Sequence, residues 1–347
     1  MQPDTQTATQ RIRRHLPADA KVYLVSDLHL GDGTGSDSFQ GKDDDLIAFI
    51  EQVREEGAHL VIAGDAIDFS QAWFVGRVFR AHGSLFRALS TLAEDKRVTY
   101  IWGNHDADIS FFRDVVRFEV CSSLQIGEEV IVRHGYEYDP FIGPDMDHGD
   151  VATRLHHLVE RLFNTWIRLP VENHYTLAVR IALWLIHKLC LGSRFLRWLG
   201  FKKLFERMHA YEHYWAQAQM GDPQGIFDGI HSALKRGPYK WIVTGHSHLP
   251  GRIEVHPDRF YVNTGSWTFE STQYAVWENH DITVHDWRTK RTYQDQLYLG
   301  LLDGRHKHVD FMIWWRENYL GWLRYRVAEE GRIPHIPNTH TQGETCA

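Results

Sequence analysis

Apolar residues recur along this chain in two rhythms. Short unbroken runs at Val22–Ser26, His59–Ala63, Val98–Trp102, Val130–Arg133 and Lys240–Thr244 are rich in β-branched residues and suit strands buried on both faces. Between the first of them the period lengthens to three and four. Leu46, Ile47, Phe49, Ile50 and Val53 predict an amphipathic helix over Asp44–Glu56, and another is expected over about Gly83–Leu92. Arg259–Val262, Tyr274–Trp277 and Ile282–Trp287 read as closing strands. This alternation at both ends of the chain predicts an α/β fold.

From about residue 140 to 237 the strand signal stops. Helical periodicities over Val151–Trp166, Tyr175–Leu191, Arg194–Gln219 and Ile226–Lys235 predict a helical insertion that projects over the rest as a cap. The expected organisation is a flexible tail at 1–20, a core formed by 21–139 and 238–300, a cap at 140–237, and a C-terminal segment at 301–347. That last segment contains an amphipathic helix over Val309–Glu330, bearing Phe311, Trp314, Trp315 and Trp322, and ends in a tail.

Composition narrows the picture. An apolar fraction of 43% supports a packed core, and a net charge of −7 argues against nucleic acid as a partner. The three cysteines, Cys121, Cys190 and Cys346, are far apart and lack CxxC spacing. Neither a disulfide framework nor a zinc knuckle is expected, and a reducing compartment fits. Met1–Ala20 is polar with no apolar core, so no signal peptide is read there. The longest apolar stretch, Leu177–Leu191, is interrupted by Arg180, His187 and Lys188, so no transmembrane helix is expected. The expected location is cytoplasmic, with peripheral attachment to the inner membrane as the alternative. Oligomeric state is not legible.

Every strand run ends in a polar motif. In order these are Asp27-Leu28-His29, Gly64-Asp65-Ala66-Ile67-Asp68, Gly103-Asn104-His105-Asp106, His134-Gly135 and Gly245-His246-Ser247-His248. Residues two apart at a strand end can point the same way, which pairs Asp27 with His29 and His246 with His248. Carboxylate with imidazole suits Mn, Fe or Zn. Any one motif has a plainer reading, such as a capping Asp beside a surface His, or a structural His134. The weight comes from five motifs in order, each where open α/β sheets bind ligands, beyond the carboxyl ends of strands. The histidines of the insertion, such as His156 and His187, lack such a setting and read as non-ligands.

The set resembles the calcineurin-like metallophosphoesterase superfamily, whose pattern runs D-x-H, G-D-x-x-D, G-N-H-D/E, an isolated H, then G-H-x-H. The resemblance implies a four-layer α+β sandwich of mixed sheets flanked by helices. It also implies two divalent metal ions, with Mn favoured and Fe, Zn and Mg as alternatives. Asp27, His29, Asp65 and His248 would hold the first, and Asp65, Asn104, His134 and His246 the second. His105 would give a proton to the leaving group, Asp106 would orient His105, and Asp68 would stand behind the ligands. The implied reaction is hydrolysis of a phosphodiester or pyrophosphate bond by a metal-bridged hydroxide.

Two further stretches bear on the substrate. Leu177–Arg207 carries Arg180, Lys188, Arg194, Arg197, Lys202, Lys203 and Arg207 among Trp, Phe and Leu, with Glu206 the sole acid. Basic helices with an aromatic face suit an anionic membrane surface or an acylated phosphate substrate; a cap with a solvated basic face is the plainer reading. A helical cap at this place is similar to the UDP-2,3-diacylglucosamine hydrolase branch, which implies a lipid-linked nucleotide substrate. That branch carries arginine where His105 stands and Asp where Tyr136 stands. The alternatives are a phosphodiesterase or phosphatase for soluble nucleotides or phosphoproteins, and a non-catalytic scaffold. The acidic stretch Asp139, Asp145, Asp147 and Asp150 reads as a solvated loop into the cap, with a third-metal or substrate contact as the alternative. Asn263-Thr264-Gly265-Ser266 reads as a turn or as a neighbour of the metals.

Overall fold

The computed structural model describes residues 12–33, 37–39, 41–69, 75–112, 116–140, 142, 188, 192, 194–207 and 223–293. Within them lie twelve strands in two six-stranded mixed sheets. The first sheet contains β1 (Arg13–Leu16), β6 (Ser123–Ile126), β7 (Val130–Val132), β8 (Trp241–Thr244), β10 (Arg259–Asn263) and β9 (Gly251–His256), in that spatial order. The second runs β12 (Asp281–Asp286), β11 (Gln273–Glu278), β2 (Val22–Val25), β3 (His59–Ala63), β4 (Val98–Ile101) and β5 (Glu119–Cys121).

The apolar runs alternate between two cores, as the two-residue period of a strand requires. Val22, Leu24, Val61, Ala63 and Ile101 face Leu124, Ile126, Val130, Val132 and Val243 of the first sheet in one continuous cluster. Tyr23, Val25, Leu60, Ile62 and Tyr100 instead meet α1 (Asp43–Glu55), α2 (Val75–Ala81) and α3 (Gly83–Glu94) through Leu46, Phe49, Val78, Leu85 and Leu89. The outer face of the first sheet is covered by α4 (Pro223–Arg236), whose Ile226, Phe227, Ile230 and Leu234 join its core. Helices, sheet, sheet and helix make the four-layer α/β sandwich.

Three expectations need correction. Arg13–Leu16, placed in a loose tail, pairs in parallel with β6 as β1, in register Arg13 to Ser123. It is a four-residue edge strand with a mostly exposed pattern, too short and too polar to read from periodicity. Second, α4, expected as part of a projecting cap, packs on the core sheet. Third, the single helix expected over Arg194–Gln219 breaks at Gly200. Residues 194–198 and 202–207 are helical. Between them Gly200 takes φ +98°, Gly200 N–H donates to Arg197 O (2.9 Å), and Phe201 N–H donates to Leu196 O (2.9 Å). That bond pair is a Schellman stop, which needs a left-handed residue that glycine supplies at no steric cost. Val151–Trp166, most of Tyr175–Leu191, and Val309–Glu330 lie outside the described residues. None of the described helices is long and apolar enough to cross a membrane.

Candidate metal centre

The five motifs meet at one edge of the sandwich, where β2, β3, β4, β7 and β8 end. Three described groups of side chains converge, the ligand atoms within each group lying within 4.8 Å of one another: Asp27–His29–His248, Asp65–His134–His246, and His29–Asp68–His105. Asp65 Oδ2 stands between the first two, 3.0 Å from His134 Nε2 and 3.9 Å from His29 Nε2. Asp27 Oδ1 lies 3.1 Å from His248 Nε2 and 3.9 Å from His134 Nε2.

The backbone is unusual here. Asp27, His29, Asp65, His246 and His248 all have φ between 47° and 65°, in the left-handed region. Only a few per cent of non-glycine residues lie there, and such strain gathers at functional sites. The motif glycines also answer a steric need, added at Gly64 to a left-handed φ of +94°. A Cβ on Gly64 would overlap the His134 ring, one on Gly103 the Asp65 carboxylate, and one on Gly245 the Asp27 carboxylate and Ser26. Each motif glycine is thus the floor under a candidate ligand of another motif, so the loops can close only together.

Hydrogen bonds fix the same loops. Asp27 N–H donates to Gly64 O and His246 N–H to Asp27 Oδ2 (2.9 Å). Trp267, wholly buried, donates its backbone N–H to Asp27 O (3.0 Å) and its indole N–H to Gln273 O (2.8 Å). The 263–266 turn braces the site from behind. Asn263 Nδ2 donates to Gly245 O (2.6 Å) and Ser247 Oγ (3.0 Å), and Thr264 Oγ1 pairs with Ser26 Oγ (2.7 Å).

The donor set fits a pair of divalent cations. His29 Nε2 and Asn104 Oδ1 are buried without a hydrogen-bond partner, and His134 Nε2 is buried against the Asp65 carboxylate, 3.0 Å away. Buried polar atoms are costly to leave unpaired, and these three sit at motif ends among carboxylates and imidazoles. Rear contacts select which nitrogen faces the cluster. His134 Nδ1–H donates to Ala63 O (2.8 Å), and His29 Nδ1 meets Asp68 Oδ2 (3.1 Å), so in the neutral form each ring presents its Nε2 lone pair to the cluster. Electrostatics couples the rings to the acids. Burial disfavours a charged Asp27, but His248 and His134 outweigh it and hold the carboxyl well below its usual range. Burial also opposes charge on His134, yet Asp65 and Asp27 raise its pKa to about 10.

His105 lies at the rim with its side chain 34% exposed. Burial works against its charge, but Asp68 and Asp65 carry its pKa above the ordinary value, which favours the protonated ring. Here the sequence expectation for Asp106 fails. Its carboxylate accepts from Ala66 N–H (2.7 Å), Ile67 N–H (3.3 Å), Gly103 N–H (2.6 Å) and Tyr100 O–H (2.5 Å). The group that meets the His105 ring is Asp68, with Oδ1 3.2 Å from Nδ1. Asp106 ties two loops together, and its spacing in the motif alone does not show that.

Asp139 differs from the solvated loop position that the acidic stretch predicts. It is buried rather than solvated, and its Oδ2 lies 2.9 Å from His246 Nε2. Asp145, Asp147 and Asp150 lie outside the described residues, as does Arg180. Arg194, Arg197, Lys202 and Lys203 stand exposed on the 194–207 helix pair, not at a strand end.

With this geometry in place, comparison with known proteins gives a family. Calcineurin-like phosphoesterases match over residues 20–250. The chain belongs to that family. It is a hydrolase of phosphoester bonds, and its His/Asp clusters accord with a dinuclear metal site. No curated protein matches it. Similar solved structures include a dimetal phosphatase from Danio rerio (13% identity, TM-score 0.37, 77% of this chain and 95% of that one). Others are a metallophosphoesterase from Sphaerobacter thermophilus (12%, 0.32, 77% and 87%) and a cold-active protein-tyrosine phosphatase of a psychrophilic Shewanella (14%, 0.35, 82% and 84%).

Proposed function

We propose that this phosphoesterase cleaves a diphosphate or phosphodiester bond in an amphiphilic, lipid-linked nucleotide at a centre of two divalent cations, with Mn favoured. The carrying observation is the placement of Asp65 Oδ2 between His134 Nε2 (3.0 Å) and His29 Nε2 (3.9 Å), with His29 Nε2 and Asn104 Oδ1 buried and lacking a hydrogen-bond partner. In this reading Asp27, His29, Asp65 and His248 hold one cation, and Asp65, Asn104, His134 and His246 hold the other. Bound there, the pair supplies Lewis-acid charge and water activation. His105, protonated and backed by Asp68, faces the rim and gives its proton to the departing oxygen. The loops interlocked by Gly64, Gly103 and Gly245 hold these groups in place before substrate arrives.

The lipid part of the reading is supported by the helix pair at 194–207. Trp198 is 78% exposed, Phe201 62% and Phe195 60%, and Leu199 and Leu204 are also open. Arg194, Arg197, Lys202, Lys203 and Arg207 alternate with them, and all are exposed. An apolar patch rimmed by cations matches an anionic bilayer, with peripheral attachment. One departure favours the alternative of a soluble nucleotide or phosphoprotein substrate: His105 stands where the diacylglucosamine hydrolases carry arginine.

The test is parallel turnover of bis-p-nitrophenyl phosphate, p-nitrophenyl phosphate and a UDP-linked diacyl sugar by the Mn-loaded protein, with Asp65→Ala as control. Preferred cleavage of the lipid-linked diphosphate, with co-sedimentation on anionic vesicles that Trp198→Ser weakens, supports the reading. Turnover of the small esters alone, with no vesicle binding, overturns its lipid half.

A further inference from the structure

We infer that Asp139 is a positioning residue: its carboxylate holds the His246 ring in the tautomer and orientation that present Nδ1 to the second cation. This rests on the dinuclear reading above. His246 is held at both ends. Its backbone N–H donates to Asp27 Oδ2 (2.9 Å), while its ring Nε2 meets Asp139 Oδ2 at 2.9 Å. A carboxylate can only accept, so Nε2 carries the hydrogen, and in the neutral ring, the form that ligates a metal, Nδ1 has the lone pair. Asp139 is 1% exposed and His246 7%, so water does not compete for the bond. Asp139 is also absent from the described Asp65–His134–His246 group, which places it behind the ring and not as a fourth donor. The pattern repeats that of His29 and His134, where Asp68 and Ala63 O stand behind the rings. Such rear acceptors raise the basicity of a ligating imidazole and fix its direction.

The location ties Asp139 to the insertion. Asp139 closes the 3₁₀ turn Tyr136–Tyr138, its N–H donating to Tyr136 O (3.0 Å) and its own C=O accepting from Ile142 N–H (3.2 Å). It is therefore the residue from which the insertion departs. The end of the insertion returns to the same turn: a Cβ on Gly229 of α4 would lie 3.3 Å from the Tyr138 Cβ and carbonyl oxygen. Both the chain leaving the turn at Asp139 and Gly229 of α4 therefore touch the turn that carries the His246 partner.

Two measurements test this. In the metal-free wild type, long-range ¹H–¹⁵N spectra of labelled histidine read the tautomer directly. His246 should be the Nε2–H form, and an Nδ1–H form overturns the inference. Mn²⁺ titration by equilibrium dialysis then compares wild type, Asp139→Asn and Asp139→Ala. The Ala variant should lose about 10–100-fold in affinity at one site and leave the other unchanged, while Asn, which still offers an acceptor oxygen, should stay close to wild type. Two wild-type sites in Asp139→Ala, or equal weakening of both sites with a lower melting point of the apo protein, overturns the positioning role. Fewer than two Mn²⁺ on the wild type overturns the dinuclear reading instead, and the tautomer spectrum then decides the role of Asp139 alone.

Discussion

Asp68 meets the His105 ring at 3.2 Å, Oδ1 to Nδ1, while its other oxygen meets His29. One carboxylate therefore serves both the proposed proton donor and a candidate ligand. The two contacts predict different phenotypes. His105→Ala should keep its metal content and lose turnover by about 10²–10⁴-fold, the usual worth of a general acid. Asp68→Ala should lose turnover and also bind metal more weakly, by roughly 10–100-fold. Metal analysis beside kcat separates them; full metal affinity in Asp68→Ala would show that its contact with His29 is idle.

Asp106 should behave as a structural group. Removing its side chain leaves three backbone N–H groups and the Tyr100 hydroxyl without their acceptor. At roughly 1–3 kcal/mol per stranded buried donor, partly relieved by relaxation, Asp106→Ala should cost on the order of 3–5 kcal/mol of stability. Thermal melting reads this. An unchanged melting temperature with lost turnover would restore a direct catalytic role.

Two glycine substitutions form a matched pair. Gly103→Ala drives a Cβ into the Asp65 carboxylate and backbone, so metal binding and stability should both fall. Gly83→Ala, at the start of α3 with open space around its Cβ, should leave both intact. Equal behaviour of the two variants in metal titration would refute the interlocked-loop account.

His82 predicts a pH dependence away from the metals. It is buried between Asp37, 3.1 Å from Nε2, and Asp43, 2.8 Å from Nδ1. Burial lowers its basicity, but the two acids outweigh this and raise the pKa to about 9. A raised pKa means the folded state binds the proton more tightly. The stabilisation is complete below the unfolded value near 6.5 and is lost as pH rises through about 9. The upper bound is about 3 kcal/mol. Denaturant unfolding of wild type and His82→Gln should therefore differ at pH 6 and converge by pH 10; a constant gap would disprove the ion pairs.

Much of this was legible because strands buried on both faces write themselves as unbroken apolar runs. Val22–Val25 and His59–Ala63 sit within a residue of the expected strands. The motif residues follow at once, so their convergence was legible too. Arg13–Leu16 was not, because a short edge strand shows no period. Gly200 was read through because one glycine in a helical pattern need not end a helix. The partners of Asp68, Asp106 and Asp139 were hidden for a common reason: each bonds residues of a different strand end, and spacing along the chain carries no record of rotamers. The fusion of α4 with the core was missed because its apolar face is the same whether it packs on a cap or on a sheet.

Asp27, His29, Asp65, His246 and His248 all hold a left-handed backbone. For L-residues that twist is disfavoured by on the order of 1 kcal/mol or more apiece. The fold therefore carries a spring, wound at five of the seven residues that would hold the cations. Relaxing any of them, as glycine at His29 or His248 would, gives a calmer chain with a poorer grip. A library of this protein sorted for heat resistance alone should drift toward such inert versions. Any attempt to harden the enzyme has to score turnover in the same round.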